Sequence, residues 1–94
     1  MTHLDKIIDD LTRHARRKHL PVTVFYADQL NARLFIGPRG GTHLRTSIVT
    51  GEDGEVQYIG YRLHRPRPPR VGPYSEAEGI PHLKQLIDHM RTRA

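Results

Sequence analysis

Cysteine is absent from the chain, and no apolar run approaches the length of a membrane span. Without cysteine, neither a disulfide nor a thiolate metal site can stabilise the fold. A spanning helix needs about 18 or more apolar residues in succession. Four charged residues among the first ten leave no apolar stretch for a secretory signal. These absences predict a soluble, cytoplasmic protein.

The chain is also short of aromatic residues, which make up 6% of its 94 positions. This length allows one domain with a modest core. The hydrophobic fraction of 36% and the charged fraction of 27% are typical of a globular protein rather than a disordered one. We therefore expect a single domain over residues 1–94, without an internal repeat.

Acidic residues are the minority charge, with 10 Asp and Glu against 15 Lys and Arg, which gives a formal net charge of +5. Twelve of the fifteen basic residues are arginine, the side chain that binds phosphate or carboxylate through two parallel hydrogen bonds. This balance favours an acidic partner, with nucleic acid the commonest. A high-GC genome, whose codons enrich arginine, histidine and proline together, would explain the same composition without any partner.

The N-terminal residues predict a helix over residues 3–18. Thr2 is a suitable N-cap and Asp5 completes a capping box, while Pro21 cannot continue the helix. Apolar residues recur at helical spacing on one face, and they are Leu4, Ile7, Ile8, Leu11 and Ala15.

A second helix is predicted near the C-terminus, from about Pro81 to Met90. Proline is favourable in a first helical turn. Ser75 and Glu78 have the spacing of a capping box, but Gly79 and Pro81 are expected to interrupt a helix that begins so early. The apolar stripe of this helix consists of Ile80, Leu83, Leu86, Ile87 and Met90.

Four β-strands are predicted between the helices, at residues 22–27, 32–36, 42–50 and 56–65. The first two strands share one apolar face, which is formed by Val22, Val24, Tyr26, Ala32, Leu34 and Ile36. Their other face carries Phe25, Arg33 and Phe35.

The hairpin between the third and fourth strands has the most specific pattern. Asp53 and Gly54 are a preferred pair for a two-residue type I′ turn, and placing them at the tip makes the numbers of paired residues sum to 107. Ile48 then faces Ile59 on the core side. A one-residue slip would move charges into the core, so the apolar pattern supports the same register independently. The opposite side carries His43 beside His64 and Arg45 beside Arg62.

Four prolines in residues 66–73 exclude a helix or a central strand there. We expect an extended connection, which carries Arg65, Arg67 and Arg70. The element order is therefore α-β-β-β-β-α. The predicted fold is α+β, a four-stranded antiparallel meander with two helices packed on one face. The second face of the sheet, the open face, is left uncovered.

The open face and the arginine-rich connection form the predicted nucleic-acid site. Aromatic rings stack on unpaired bases, and guanidinium groups pair with phosphates. The predicted nucleic-acid-binding residues are Arg33, His43, Arg45, Arg62, His64, Arg65, Arg67 and Arg70. The predicted interface aromatics are Phe25, Phe35 and Tyr58. Together they predict a small, basic, non-enzymatic binding module.

Two other functions fit the same residues. Exposed aromatics on a small protein usually mark an interface, so an acidic protein partner, an inhibitory role or a homodimer would also account for them. Alternatively, His43 and His64 would act as base and acid in a metal-independent ribonuclease. The sequence contains no metal-binding or nucleotide-binding motif, and no cofactor is expected.

Overall fold

The computed structural model of the chain describes residues 2–38, 43–64 and 70–90, and at positions 57, 58, 61–64 and 70–73 it describes the backbone. The elements in chain order are α1 (His3–Arg17), β1 (Val22–Asp28), β2 (Asn31–Ile36), β3 (His43–Thr50), β4 (Val56–His64), β5 (Arg70–Tyr74) and α2 (Glu76–His89). The described strands form one antiparallel sheet in the order β1-β2-β3-β4-β5. The α+β class and the meander β1–β4, with a helix before it and a helix after it, are confirmed.

Helix α1 begins as predicted. Thr2 Oγ1 accepts a hydrogen bond from the Asp5 N–H (3.1 Å), and Asp5 Oδ2 accepts one from the Thr2 N–H (3.0 Å), which completes the capping box. All five residues of the predicted stripe are buried. They fix the face of α1 that packs on the sheet.

Helix α1 ends at Arg17 in a Schellman motif, before Pro21 is reached. The Leu20 N–H donates to the Ala15 carbonyl (3.2 Å) and the His19 N–H donates to the Arg16 carbonyl (2.9 Å). His19 holds the left-handed position of this motif, with a φ of 59°. Leu20 is buried directly after it, so the turn both stops the helix and anchors the approach to β1.

The predicted strand registers are confirmed. The β1–β2 ladder pairs Val22 with Ile36 and Val24 with Leu34. The β3–β4 ladder follows the predicted sum of 107 from the pair of His43 and His64 to the pair of Val49 and Tyr58. Ile48 and Ile59, which face each other, are both fully buried.

The tip of the β3–β4 hairpin differs from the prediction. The Gly51 N–H donates to the Glu55 carbonyl (2.7 Å), and of the loop residues 52–54 only Gly54 has a positive φ (84°). The tip is therefore a three-residue loop that ends in a left-handed glycine, not a two-residue type I′ turn. Gln57 is the extra residue of a bulge that follows, and this bulge restores the predicted pairing beyond it.

The sheet also has a fifth strand, in the segment that was predicted to be an extended, proline-rich connection. Strand β5 pairs with β4, and Arg70 is opposite Arg62 in this ladder. Pro73 is compatible with β5 because β5 lies at the edge of the sheet, where one row of backbone donors is not needed for pairing. The earlier part of the connection, residues 65–69, lies outside the described residues.

Helix α2 begins at Glu76, five residues earlier than predicted. Ser75 is its N-cap, with Oγ accepting a hydrogen bond from the Glu78 N–H (3.3 Å). Gly79 does not interrupt the helix; it is buried, and it lets the helix backbone approach β4. Pro81 lies inside the helix, where it removes one backbone donor.

Both helices pack on the same face of the sheet, as predicted, and they also pack on each other. Helix α1 contacts β1, β2 and β3, while α2 contacts β4. The core between the layers is formed mainly by α1, the strands β2–β4, Leu83 and Ile87. No helix in the described part of the chain is long and apolar enough to cross a membrane.

Candidate nucleic-acid interface

Residues of the open face align in rows across the strands. One row crosses all five strands through the paired positions Thr23, Phe35, Arg45, Arg62 and Arg70. A second row crosses four strands through Phe25, Arg33, Ser47 and Gly60. The pairing thus places four of the predicted arginines on one face, each on a different strand.

Arg45, Arg62 and Arg70 occupy adjacent positions of the first row, and we call them the arginine row. Adjacent strands lie about 4.8 Å apart, so the three backbone positions span about 10 Å. Like charges directly opposite each other destabilise a sheet. An anion lying along the row would offset this repulsion.

No acidic residue lies on the open face within the described strands. Asp28, at the end of β1, is the one acidic residue that these strands contain. Its carboxylate accepts hydrogen bonds from the Leu30 N–H (2.7 Å) and from the Asn31 side-chain amide (2.9 and 3.0 Å). These bonds, the one from Leu30 foremost, lower the pKa of Asp28. The carboxylate therefore stabilises the β1–β2 turn as an anion and does not neutralise the arginines.

Acidic residues collect instead at one end of the sheet. The β1–β2 and β3–β4 turns lie side by side there, since the Thr50 N–H donates to the Leu30 carbonyl (2.8 Å). Arg45 is five residues from Thr50 along β3, about 17 Å at the ordinary strand rise. We call this end the acidic end, and its carboxylates are Asp28, Glu52, Asp53 and Glu55.

The six other acidic residues belong to the helices, and four of them pair within the helical layer. These pairs are Asp9 with Arg13 (3.0 Å), Asp10 with Lys84 (2.8 Å), Glu76 with His3 (2.6 Å) and Asp88 with His14 (2.8 Å). The helical carboxylates are thus engaged on the far side of the core. These four pairs involve no residue of the described strands.

Aromatic side chains on the open face differ in what they can contact. Phe25 is 61% exposed and lies opposite Arg33, which is also exposed. Phe35 is half-buried and stacks on His43, with ring centroids 4.2 Å apart. His43 is only 6% exposed. Among the described side chains of this face, Phe25 is therefore the ring that can stack on a base.

The cross-strand histidine pair has one member that is poorly placed for proton transfer. His43 and His64 are opposite each other in the β3–β4 ladder, as predicted. A general base must reach the proton that it removes, and His43 presents little of its ring at the surface. The geometry does not favour His43 as a base that acts on a ligand lying on the open face.

Several predicted site residues are described in part or not at all. The backbone alone is described for Tyr58, Arg62, His64 and Arg70, and Arg65 and Arg67 lie outside the described residues. Sequence reasoning missed that Arg70 lies in a strand next to Arg62, because the prolines around it gave no strand pattern. It also placed Tyr26 in the core, whereas this residue is 44% exposed at the edge of the sheet and donates a hydrogen bond to Asp5 (2.7 Å).

The other concave or titratable regions are weaker candidates for a binding site. Within residues 2–38, 43–64 and 70–90, no three His, Asp or Glu side chains come together as metal ligands do. A shallow groove between the helices is lined by residues that include His3, Lys6, Asp10 and Glu76. Three of these side chains are already engaged, His3 with Glu76 and Asp10 with Lys84.

The fold and this surface define a two-layer α+β protein with one sheet face covered by helices and the other face basic. Comparison with protein-family models, with curated proteins and with solved structures finds no match to the chain.

Proposed function

We propose that the protein is a non-enzymatic module that binds single-stranded nucleic acid across the open face of its sheet. The observation that carries this proposal is the arginine row, three arginines at adjacent positions of neighbouring strands, on a face where the described strands place no carboxylate. Phosphates spaced along one strand of nucleic acid can neutralise such a row, with release of the counterions that they had bound.

Single-stranded nucleic acid is favoured over duplex by the shape and chemistry of the face. A sheet surface presents a broad platform rather than a helix or ribbon that fits a groove. Phe25 supplies an exposed ring beside Arg33, and base–aromatic stacking requires bases that are not already stacked in a duplex. The acidic end repels phosphates, so the bound strand is expected to run across the β-strands, along the arginine row.

The burial of His43 favours a binding function without catalysis. Its ring stacks on Phe35 and is nearly buried, so the ribonuclease alternative has one of its two proposed groups in poor reach of a substrate. The acidic protein partner remains the competing ligand, since a row of carboxylates would satisfy the same arginines.

Fluorescence anisotropy with labelled oligo(U) and oligo(dT) across a range of salt concentrations tests the proposal. We expect tight binding at low salt and a log–log salt slope of about −0.7 per neutralised phosphate. Arg45→Ala should weaken binding and flatten the slope. The matched control is Arg17→Ala, which removes the same charge from the exposed C-terminus of α1.

Two results would contradict the proposal. One is the absence of binding to either oligonucleotide at low salt. The other is an equal loss for Arg45→Ala and Arg17→Ala, which would indicate net charge rather than a site. Labelled polyglutamate serves as the competitor ligand, and tighter binding of polyglutamate than of oligo(U) would favour the acidic protein partner.

A further inference from the structure

The two edges of the sheet differ in how well they are protected against pairing with another chain. Strand β5 carries Arg70 and Pro73, and charge and proline are common ways to protect an edge. Strand β1 has no charged residue, proline or glycine from Val22 to Ala27. By sequence, β1 is therefore the edge open to a further strand.

Three residues of β1 direct their backbone N–H and C=O groups away from the sheet. The Gly37 N–H donates to the Pro21 carbonyl (2.9 Å), which identifies Pro21 as a residue that bonds towards β2. Antiparallel strands alternate between bonded and non-bonded pairs, so Val22, Val24 and Tyr26 direct their N–H and C=O groups outwards. No backbone group elsewhere in the described ranges bonds to them.

The largest exposed apolar side chains lie on this same strand. Phe25 is 61% exposed and Tyr26 is 44% exposed. Because neighbouring residues of a strand point to opposite faces, Phe25 lies on the open face and Tyr26 on the helical face. A partner resting on either face would cover one of them, whereas an added strand would cover both.

We propose that β1 pairs antiparallel with β1 of a second copy, with Phe25 on the two-fold axis. The segment is its own complement in this register. Phe25 faces the partner's Phe25 on the open face, and Val24 faces the partner's Tyr26 on the helical face. The outward backbone groups of Val24 and the partner's Tyr26 form the hydrogen bonds, and symmetry repeats the pair.

Charge does not oppose this pairing. Among the described strands, the arginine nearest to β1 is Arg33 on β2, and three strand spacings separate it from the partner's Arg33. That is about 14 Å, beyond the screening length of about 8 Å at physiological ionic strength. The resulting ten-stranded sheet leaves both arginine rows uncovered, so association through β1 does not block contacts along these rows and does not depend on them. The Phe25 ring, which the added strand covers, is open to a base only in the monomer.

Single-cysteine cross-linking tests the pairing, because the natural chain contains no cysteine. Residues opposite each other in a non-hydrogen-bonded pair have Cα atoms about 4.5 Å apart, within the range of about 4.4–6.8 Å that a disulfide needs. Phe25→Cys should therefore form a covalent dimer rapidly on mild oxidation. Arg45→Cys, exposed on the same face but on a central strand, should remain monomeric.

Residue-resolved hydrogen exchange on the wild-type chain gives a second readout. The Val24 and Tyr26 amides should gain at least tenfold protection as concentration is raised through the dimerisation seen by ultracentrifugation. The Thr23 and Phe25 amides, which bond to β2, should already be protected in the monomer. Cross-linking of Arg45→Cys as fast as Phe25→Cys, a chain that stays monomeric, or Val24 and Tyr26 amides unprotected in the dimer would overturn the proposal. None of these measurements involves nucleic acid, so they are independent of the proposed function.

Discussion

Gly79 of α2 lies against Ile59 of β4 so closely that a Cβ atom on Gly79 would stand 3.0 Å from Ile59 Cδ1 and 3.2 Å from its Cβ and Cγ2 atoms. Ile59 is fully buried, so it has little room to move. The missing side chain of Gly79 therefore sets the distance between the helix and the sheet.

We expect Gly79→Ala to destabilise the protein, against the usual preference for alanine in a helix. Overpacking costs about 1–3 kcal/mol, while the gain in helix propensity is about 1 kcal/mol. A net loss of about 1 kcal/mol should appear in urea unfolding. In an Ile59→Val background, which lacks the Cδ1 atom, the loss should shrink. A Gly79→Ala variant more stable than the wild type would show that α2 can shift freely.

His19→Gly should stabilise the protein. His19 holds a left-handed conformation (φ 59°) at the end of α1, which costs a residue with a Cβ atom about 1 kcal/mol or more relative to glycine. The expected gain is about 1 kcal/mol in thermal or urea unfolding. His19→Ala is the control, because it removes the imidazole and keeps the Cβ atom. If His19→Ala stabilises equally, the effect comes from the imidazole and not from the backbone.

Phe25→Ala and Arg45→Ala should affect nucleic-acid binding in different ways. Loss of the Phe25 ring should weaken oligo(U) binding by about 1–3 kcal/mol with an unchanged salt slope, since no charge is removed. Arg45→Ala should lower the magnitude of the slope by about 0.7. The two variants are compared by anisotropy at four or more salt concentrations. A changed slope for Phe25→Ala would indicate that the face has rearranged, and no loss at all would exclude stacking at this position. The same variant is expected to weaken the dimer, so its anisotropy is measured at a protein concentration where both chains are monomeric.

Tyr26 should titrate at unusually high pH. Partial burial and the hydrogen bond to Asp5 raise the pKa of Tyr26 to about 12, from an ordinary value of 10.0. Since the folded chain then holds this proton more tightly than the unfolded chain, the associated stability is complete below pH 10 and is lost between pH 10 and about 12. Ultraviolet difference titration of wild type against Tyr26→Phe should isolate one tyrosine near pH 12. A midpoint near 10 would mean that the hydrogen bond to Asp5 does not persist in solution.

Most of the sheet could be predicted because two local signals agreed. Turn residues and apolar alternation gave the same register for β3 and β4, and the bulge at Gln57 left that register intact despite a different turn. Arg45 and Arg62 were placed opposite each other for this reason. Phe25 could likewise be assigned to the open face by alternation alone.

The features that were not predicted depend on tertiary contacts, and these contacts leave no pattern in the local sequence. Gly79 and Pro81 are helix breakers by propensity, and only the proximity of Ile59 explains why the helix keeps a glycine there. The burial of His43 depends on which rotamer stacks on Phe35, which alternation cannot reveal. Strand β5 was not predicted, because the segment around it is rich in proline and shows no strand pattern, although an edge strand tolerates proline.

Positive and negative charges are separated along the strands, and this separation gives the protein an electric dipole moment in the plane of the sheet. Its negative pole is the acidic end, and its positive pole lies towards the arginine row. A two-fold axis through Phe25, perpendicular to the sheet, would set the moments of two copies in opposite directions, and their in-plane components would cancel. A single copy has an uncancelled moment, and it would rotate to align this moment with an electric field such as that of an approaching polyanion. The pair would have no preferred in-plane orientation and would offer one arginine row at each end.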